Sequence, residues 1–260
     1  MKEDNETEGW KFRLSGMSEI QNPEQRPEIL KEGSEESSVR DAQYFEKVCE
    51  YNGIILSDIQ RDKMRKYVSL LLDWNSRINL ISRNDEKDIW RNHILHSVSV
   101  MTQYNFLEGA AYFDLGTGGG LPGIPLAILN PESQFVLCDS VQKKMKAVES
   151  ITSQLSLPNI ETVIARAEAC GKEIHLRQHF NGVFARAVAG LRDVLKYSHQ
   201  LFHPEQEKLL IAWKGGDISE EAGKIGRLKQ IDSIQIRPIH LIHESYFEDQ
   251  QKQLVYVRFR

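Results

Sequence analysis

The residues best placed to do chemistry are a carboxylate followed at once by five glycines. The run Tyr112-Phe113-Asp114-Leu115-Gly116-Thr117-Gly118-Gly119-Gly120-Leu121-Pro122-Gly123 is apolar, then acidic, then almost bare of side chains. Glycine reaches φ > 0 without a Cβ penalty and lets another molecule lie directly on the main chain. A second apolar run, Phe135-Val136-Leu137-Cys138, ends in Asp139. A carboxylate at that point in a nucleotide-type fold accepts hydrogen bonds from ribose hydroxyls. Backbone at Gly116 and Gly118 on one side, and Asp139 on the other, describe an edge that binds a nucleoside.

Two ligands compete for that edge. Gly118, Gly120 and Gly123 satisfy the dinucleotide spacing G-x-G-x-x-G. In that fingerprint, however, the amino end of a helix faces a pyrophosphate, whereas Pro122 and Pro125 remove two N–H donors from this helix start. The spacing Asp114-x-Gly116-x-Gly118 is more similar to the first motif of S-adenosylmethionine-dependent methyltransferases, whose ligand carries a sulfonium and a carboxylate but no phosphate. No metal is expected: His175/His179 and His199/His203 have i,i+4 spacing but lack the glutamate of the zinc pattern. Cys49, Cys138 and Cys170 are odd in number and lack metal-ligand spacing, as in a reduced cytoplasmic protein. Cys138, inside an apolar run, reads as a small buried hydrophobe. No apolar run approaches membrane-spanning length.

The elements that must hold these groups follow from periodicity. Of the net charge of −4, residues 1–40 account for all: they hold 10 acidic and 6 basic side chains. That stretch is rich in Glu, Ser and Gly without an apolar period, and is expected to be a flexible acidic extension. Residues 41–105 are expected to form a small helical cap. In it, Ser57 or Asp58 starts a helix with Ile59, Met64, Tyr67, Val68, Leu71 and Trp74 on one stripe, and a second helix covers 88–103. Residues 106–260 alternate strand and helix as a cofactor-binding α/β domain. Strands are expected at 112–115, 135–139, 161–165, 182–187 and 208–213, with helices such as 141–156 and 191–202. Strands at 231–241 and 254–259, with no long crossover helix between them, close the sheet as an antiparallel hairpin. A mostly parallel seven-stranded sheet ending this way is the Rossmann-like sheet of class I methyltransferases.

From residue 44 onward, the chain closely resembles the glucose-inhibited division protein B family, the bacterial 16S ribosomal RNA guanine-N7 methyltransferases. The resemblance rests on the glycine loop through Leu126, on Trp74-Asn75 followed by Asn79-Leu80, and on His93-Ile94-Leu95 with Ser97. Asp139-Ser140 with Lys143, Arg166 with Glu168, Arg186-Ala187 and Lys214-Gly215 stand in the same order. It implies S-adenosylmethionine as cofactor, with Gly116, Leu121, Ala167, Glu168 and Arg186 in its pocket, and 16S ribosomal RNA or the small subunit as partner; the chain is expected to be a monomer. Guanine N7 offers an uncharged lone pair, so no general base is expected. Arg186 is expected to meet a carboxylate or an RNA phosphate. Arg77, Arg83, Arg91 and His93 on the cap, with Lys143, Lys144 and Lys146 after Asp139, are the candidates for RNA contact. The lysine cluster reads equally as a solvated helix face. Three positions depart from the family pattern: Gly119 stands for proline, Asn92 for arginine, and His96, a potential cation, for aspartate. A silent RNA-binding or assembly protein, or a methyltransferase of another RNA or a small molecule, are the alternatives.

Overall fold

The computed structural model describes residues 34–173 and 175–260. Most of the expected extension, residues 1–33, lies outside the described residues. Helix α1 (Ser34–Tyr51) opens the described part, so 34–40 are helical. Helix α2 (Asp58–Asn75) starts on Ser57, whose side chain accepts from Gln60 N while the Gln60 side chain accepts from Ser57 N. Its stripe buries Met64, Tyr67, Val68 and Leu71, but Ile59 is 69% exposed. Five residues before Met64, Ile59 lies about 140° around the helix from it, off the buried face.

The helix expected over 88–103 is present but changes type along its length: a 3-10 turn (Arg83–Asp88) leads into a π turn (Trp90–Leu95), α3 (His96–Val98) and another 3-10 turn (Ser99–Thr102). No side chain caps Trp90–Leu95. The hydroxyls of Ser97, Ser99 and Thr102 donate to the carbonyls of His93, His96 and Ser99, back-bonding that competes with a regular ladder.

Alternation then takes over: β1 (Ala111–Leu115), α4 (Gly123–Leu129), β2 (Gln134–Asp139), α5 (Gln142–Gln154), β3 (Ile160–Ile164) and α6 (Ala167–Cys170). There follow β4 (Gly182–Arg186), α7 (Leu191–Ser198), β5 (Leu209–Gly215), α8 (Ser219–Ile225), β6 (Ile231–Pro238), α9 (Tyr246–Asp249) and β7 (Lys252–Phe259). The seven strands run in the order β3-β2-β1-β4-β5-β7-β6. The first five are parallel, and β7 is antiparallel to both β5 and β6. The expected hairpin is therefore present, with its second strand slotted inward.

Side chains alternate across the sheet, so each face has its own core. Tyr112, Phe135, Leu137, Phe184 and Trp213 pack on one side with the cap residues Tyr67, Leu71, Trp90 and Leu95. Phe113, Leu115, Cys138, Val183 and Ala185 pack on the other. The cap shares a core with the sheet, which fixes it against one face. Between β1 and β4 the strand order reverses, and the loops leaving these two neighbours diverge into the crevice where open α/β sheets bind ligands.

Candidate active site

The loop after β1 is built from backbone. Gly116 takes φ +73°, and a Cβ there would stand 2.7 Å from Val188 Cγ2. Asp114, wholly buried, ties the loop from below: its Oδ2 accepts from Thr117 Oγ1 at 2.6 Å and from Gly123 N at 2.9 Å. A Cβ at Gly123 would lie 2.7 Å from that oxygen. Burial raises the Asp114 carboxyl to about 6, against the pull of those two hydrogen bonds and the Arg186 charge. From above, Tyr67 of α2 donates its buried hydroxyl to Gly119 O at 3.0 Å.

Nearly every amide of the loop is already committed. Gly116 N and Thr117 N donate to Cys138 O, at 2.8 and 2.9 Å, and Gly120 N and Leu121 N donate to Thr117 O. Gly118 N donates to Asp139 Oδ2 at 3.1 Å. A pyrophosphate needs free N–H groups, so the loop is unsuited to a dinucleotide. Asp139, at the end of β2, also accepts from Val141 N through Oδ1 at 2.9 Å. Each of its oxygens keeps a further lone pair for a ligand hydroxyl.

These groups enclose a cavity of about 530 Å³, within the range of small-ligand sites. Its walls include Gly116, Gly118, Leu121, Asp139, Ala167, Glu168 and Arg186, all seven residues expected there. A nucleoside bearing a sulfonium and a carboxylate fits this donor set, with no phosphate to satisfy and glycine where a Cβ would intrude.

Facing the loop, Arg186 ends β4 and reaches into the cap. Its Nη1 donates to His93 O and Ser97 Oγ, both at 3.2 Å, and its Nη2 bonds to His93 Nδ1. It forms no ion pair among the described residues. Burial lowers it to about 10, still cationic at neutral pH. His93 is held down to about 4 by burial and then by Arg186, against Asp85, whose Oδ2 lies 3.6 Å from its Nε2. It is therefore neutral, accepts from Arg186 at Nδ1 and turns Nε2–H towards Asp85. Asp85 also accepts from Asn92 Nδ2 at 3.0 Å. His96, read from sequence as a potential cation, is kept neutral: burial first, then Arg186, hold it well below the usual histidine value. Its ring stacks on Phe247 at 5.4 Å, and its Nε2 has no partner.

The seven candidates for RNA contact do not converge. His93 and Lys144 line the cavity, while Lys143 and Lys146 are exposed outside it. Arg77 pairs with Asp73 and lies over the Trp74 ring at 5.3 Å. Arg91 pairs with Asp88 and lies over Tyr246 at 4.3 Å. Arg83 borders a smaller cavity of about 300 Å³ that adjoins the first at Leu80 and Ile81.

Two supports carried no assigned role in the sequence. Asn75 accepts from Leu80 N at 2.7 Å and Ile81 N at 2.9 Å and donates to Glu86, fixing the cap rim of the cavity. Tyr67 was legible only as a core residue. The pairing of Trp74-Asn75 with Asn79-Leu80 was the available signal for Asn75.

A five-stranded parallel sheet with a reversed β7, a glycine loop after β1 and a carboxylate after β2 define a class I S-adenosylmethionine-dependent methyltransferase. The family model described as GidB, rRNA small subunit methyltransferase G, matches residues 60–254. Ribosomal RNA small subunit methyltransferase G of Bacteroides fragilis is 36% identical over 208 residues, 78% of this chain and 94% of that protein. Its namesake in Chlorobaculum tepidum is 34% identical over 84% of this chain and 99% of its own length. The solved structure of M. jannaschii TYW2 in complex with AdoMet is similar with TM-score 0.49 and 14% identity, over 71% of this chain and 80% of that one. The chain belongs to the GidB family of small-subunit rRNA methyltransferases. Among the described residues no helix is long and apolar enough to cross a membrane, and no three His, Cys, Asp or Glu are grouped to hold a metal.

Proposed function

We propose that this chain transfers a methyl group from S-adenosylmethionine to N7 of a guanine in 16S ribosomal RNA, acting as a cytoplasmic monomer on the small subunit or its RNA. The observation that carries the reading is the loop with nearly every amide already bonded within the protein, beside a cavity with Asp139 at its edge. Gly116, Gly118 and Leu121 hold the methionine side, Asp139 the ribose, and Ala167 with Glu168 the adenine. Arg186 supplies the charge that meets a carboxylate or phosphate. When bound, the sulfonium supplies an electrophilic methyl carbon.

The protein's own work is positional. N7 needs no deprotonation, and the carboxylates nearest the loop are engaged: Asp114 by Thr117 and Gly123, Asp139 by Gly118 and Val141. Alignment alone contributes about 7–11 kcal/mol when reacting atoms are held in line. His93 and Ser97 draw the Arg186 guanidinium towards the cap, which limits repulsion of a purine acquiring positive charge. N7 lies in the deep groove of A-form RNA, so the target base is taken unpaired or extruded.

The test supplies methyl-labelled cofactor with small subunits, stripped ribosomal RNA and transfer RNA, then maps the labelled base. Label at a guanine N7 of 16S RNA is expected. Label only on transfer RNA, or at another atom, rejects the substrate.

A further inference from the structure

The methyl-transfer reading makes no use of two buried thiols that meet beside the cavity. Cys138 Sγ and Cys170 Sγ lie 3.3 Å apart, with side chains 1% and 0% exposed. Cys138 immediately precedes Asp139 on β2, and Cys170 closes the short helix α6 that opens with Ala167 and Glu168. Both ends of the pair are therefore attached to residues assigned to the cofactor. Cys138 borders the cavity and Cys170 lies behind it. Each sulfur faces a carbonyl, Ala165 O at 3.4 Å for Cys138 and Arg166 O at 3.3 Å for Cys170.

We propose that Cys138 and Cys170 are an oxidisable dithiol, and that their cystine weakens cofactor binding. A small peroxide entering the cavity reaches Cys138 first. The Cys138 sulfur attacks one peroxide oxygen; the O–O bond breaks, Cys138 becomes a sulfenic acid, and the other oxygen leaves as water with the thiol proton. The Cys170 sulfur then attacks the sulfenyl sulfur and displaces its oxygen as a second water. In sum, two thiols and one hydrogen peroxide give one cystine and two waters. The hydrogen bond between the thiols and burial hold Cys138 above the ordinary thiol value, which makes the first step slow.

The consequence is geometric. A disulfide is about 2.05 Å long, so bonding draws the end of β2 and α6 together from a contact of 3.3 Å. Asp139 rides on one and Ala167 with Glu168 on the other. On the reading of the cavity as the cofactor site, on which this inference rests, bound cofactor also acts as a shield, because Cys138 lines that cavity.

The test exposes reduced, full-length protein to hydrogen peroxide with and without S-adenosylhomocysteine, alkylates free thiols, maps peptides by mass spectrometry and measures S-adenosylhomocysteine affinity by calorimetry. The expected result is a Cys138–Cys170 cross-linked peptide that forms more slowly with ligand present, while Cys49 stays alkylatable. Affinity is expected to fall about tenfold, from strain of the order of 1.4 kcal/mol, and to return with dithiothreitol. The double variant Cys138→Ser, Cys170→Ser should keep its affinity through the same treatment; if it does not fold, dithiothreitol reversal of the wild type decides. Free thiols at both positions after peroxide, or a cystine with unchanged affinity, overturns the inference. Reduced protein that does not bind S-adenosylhomocysteine overturns the cofactor assignment instead, and the peptide map still judges the dithiol.

Discussion

Two walls face each other across the cavity, and they are made differently. The loop after β1 is main chain, with its amides bonded to Cys138 O, Thr117 O, Asp139 and Asp114. The cap wall is side chain: Asp85, Asn92, His93, Ser97 and Arg186 hold one another, over a helix that changes from 3-10 to π to α within one segment. Of buried side-chain atoms, the first wall leaves Asp114 Oδ1 without a partner, and the second leaves Trp90 Nε1, His93 Nε2 and His96 Nε2. A backbone wall is set by sterics and tolerates little change, whereas a side-chain wall is set by charge and responds to pH.

The sharpest way to break this contrast is to add side chain to the first wall. Gly116→Val places methyl groups against Val188, 2.7 Å from the nearest Cβ position, on backbone at φ +73°. Affinity for S-adenosylhomocysteine should fall about 100-fold or more, from roughly 1–2 kcal/mol of left-handed strain plus the clash. Unchanged binding by calorimetry in folded protein would remove Gly116 from the site.

Next comes the support of the cap rim. Asn75→Ala leaves Leu80 N and Ile81 N without their acceptor, at about 1–3 kcal/mol for each buried group. Urea unfolding should show a loss of about 2–6 kcal/mol. A loss below 0.5 kcal/mol, typical of surface positions, would mean that the rim holds itself.

The pH response separates the walls most cleanly. Unfolded, His93 and His96 take protons below about 6.5; folded, both resist, and His93 holds out to about 4. Between these values the unfolded chain binds more protons, so stability present above 6.5 is lost as pH falls. Asp114 acts in the opposite sense: folded near 6 against 3.8 unfolded, it binds its proton more readily in the native state. Two histidines against one carboxylate leave a net loss of stability on acidification between about 6 and 4. His93→Gln, which keeps an acceptor for Arg186 but does not titrate, should flatten that slope in a series of urea melts. A slope that stays as steep assigns the acid response elsewhere.

The smallest effect belongs to the lysines. Lys143→Ala and Lys146→Ala, both exposed, should move stability by less than about 0.5 kcal/mol. If they touch phosphate, each should lower the salt dependence of RNA binding by about one unit. An unaltered slope makes them a solvated face.

The difference between the walls also decided what could be read in advance. Gly116, Gly118 and Asp139 are legible because strand, glycine and carboxylate follow each other in the chain, and the sheet brings β1 beside β2 in register. The reversed terminal strand was legible from the missing crossover; its insertion between β5 and β6 was not, since pairing partners leave no local mark. The cap wall depends on Arg186 and His93, 93 positions apart, meeting only after folding. The changes of helix type over 88–103, where Ser97, Ser99 and Thr102 bond to backbone carbonyls, are not reported by apolar periodicity. The neutrality of His96 follows from burial under Phe247, a contact between cap and α9.

The cleft between the glycine loop and Asp139 is proposed to hold an adenosyl ligand without phosphate. Calorimetric titration of S-adenosylhomocysteine into the wild type and Asp139→Asn, with NAD as competitor, tests this most directly. One site per chain, at least tenfold weaker in Asp139→Asn and untouched by NAD, is the expected result. Equal affinity in the two proteins, or displacement by NAD, would contradict it.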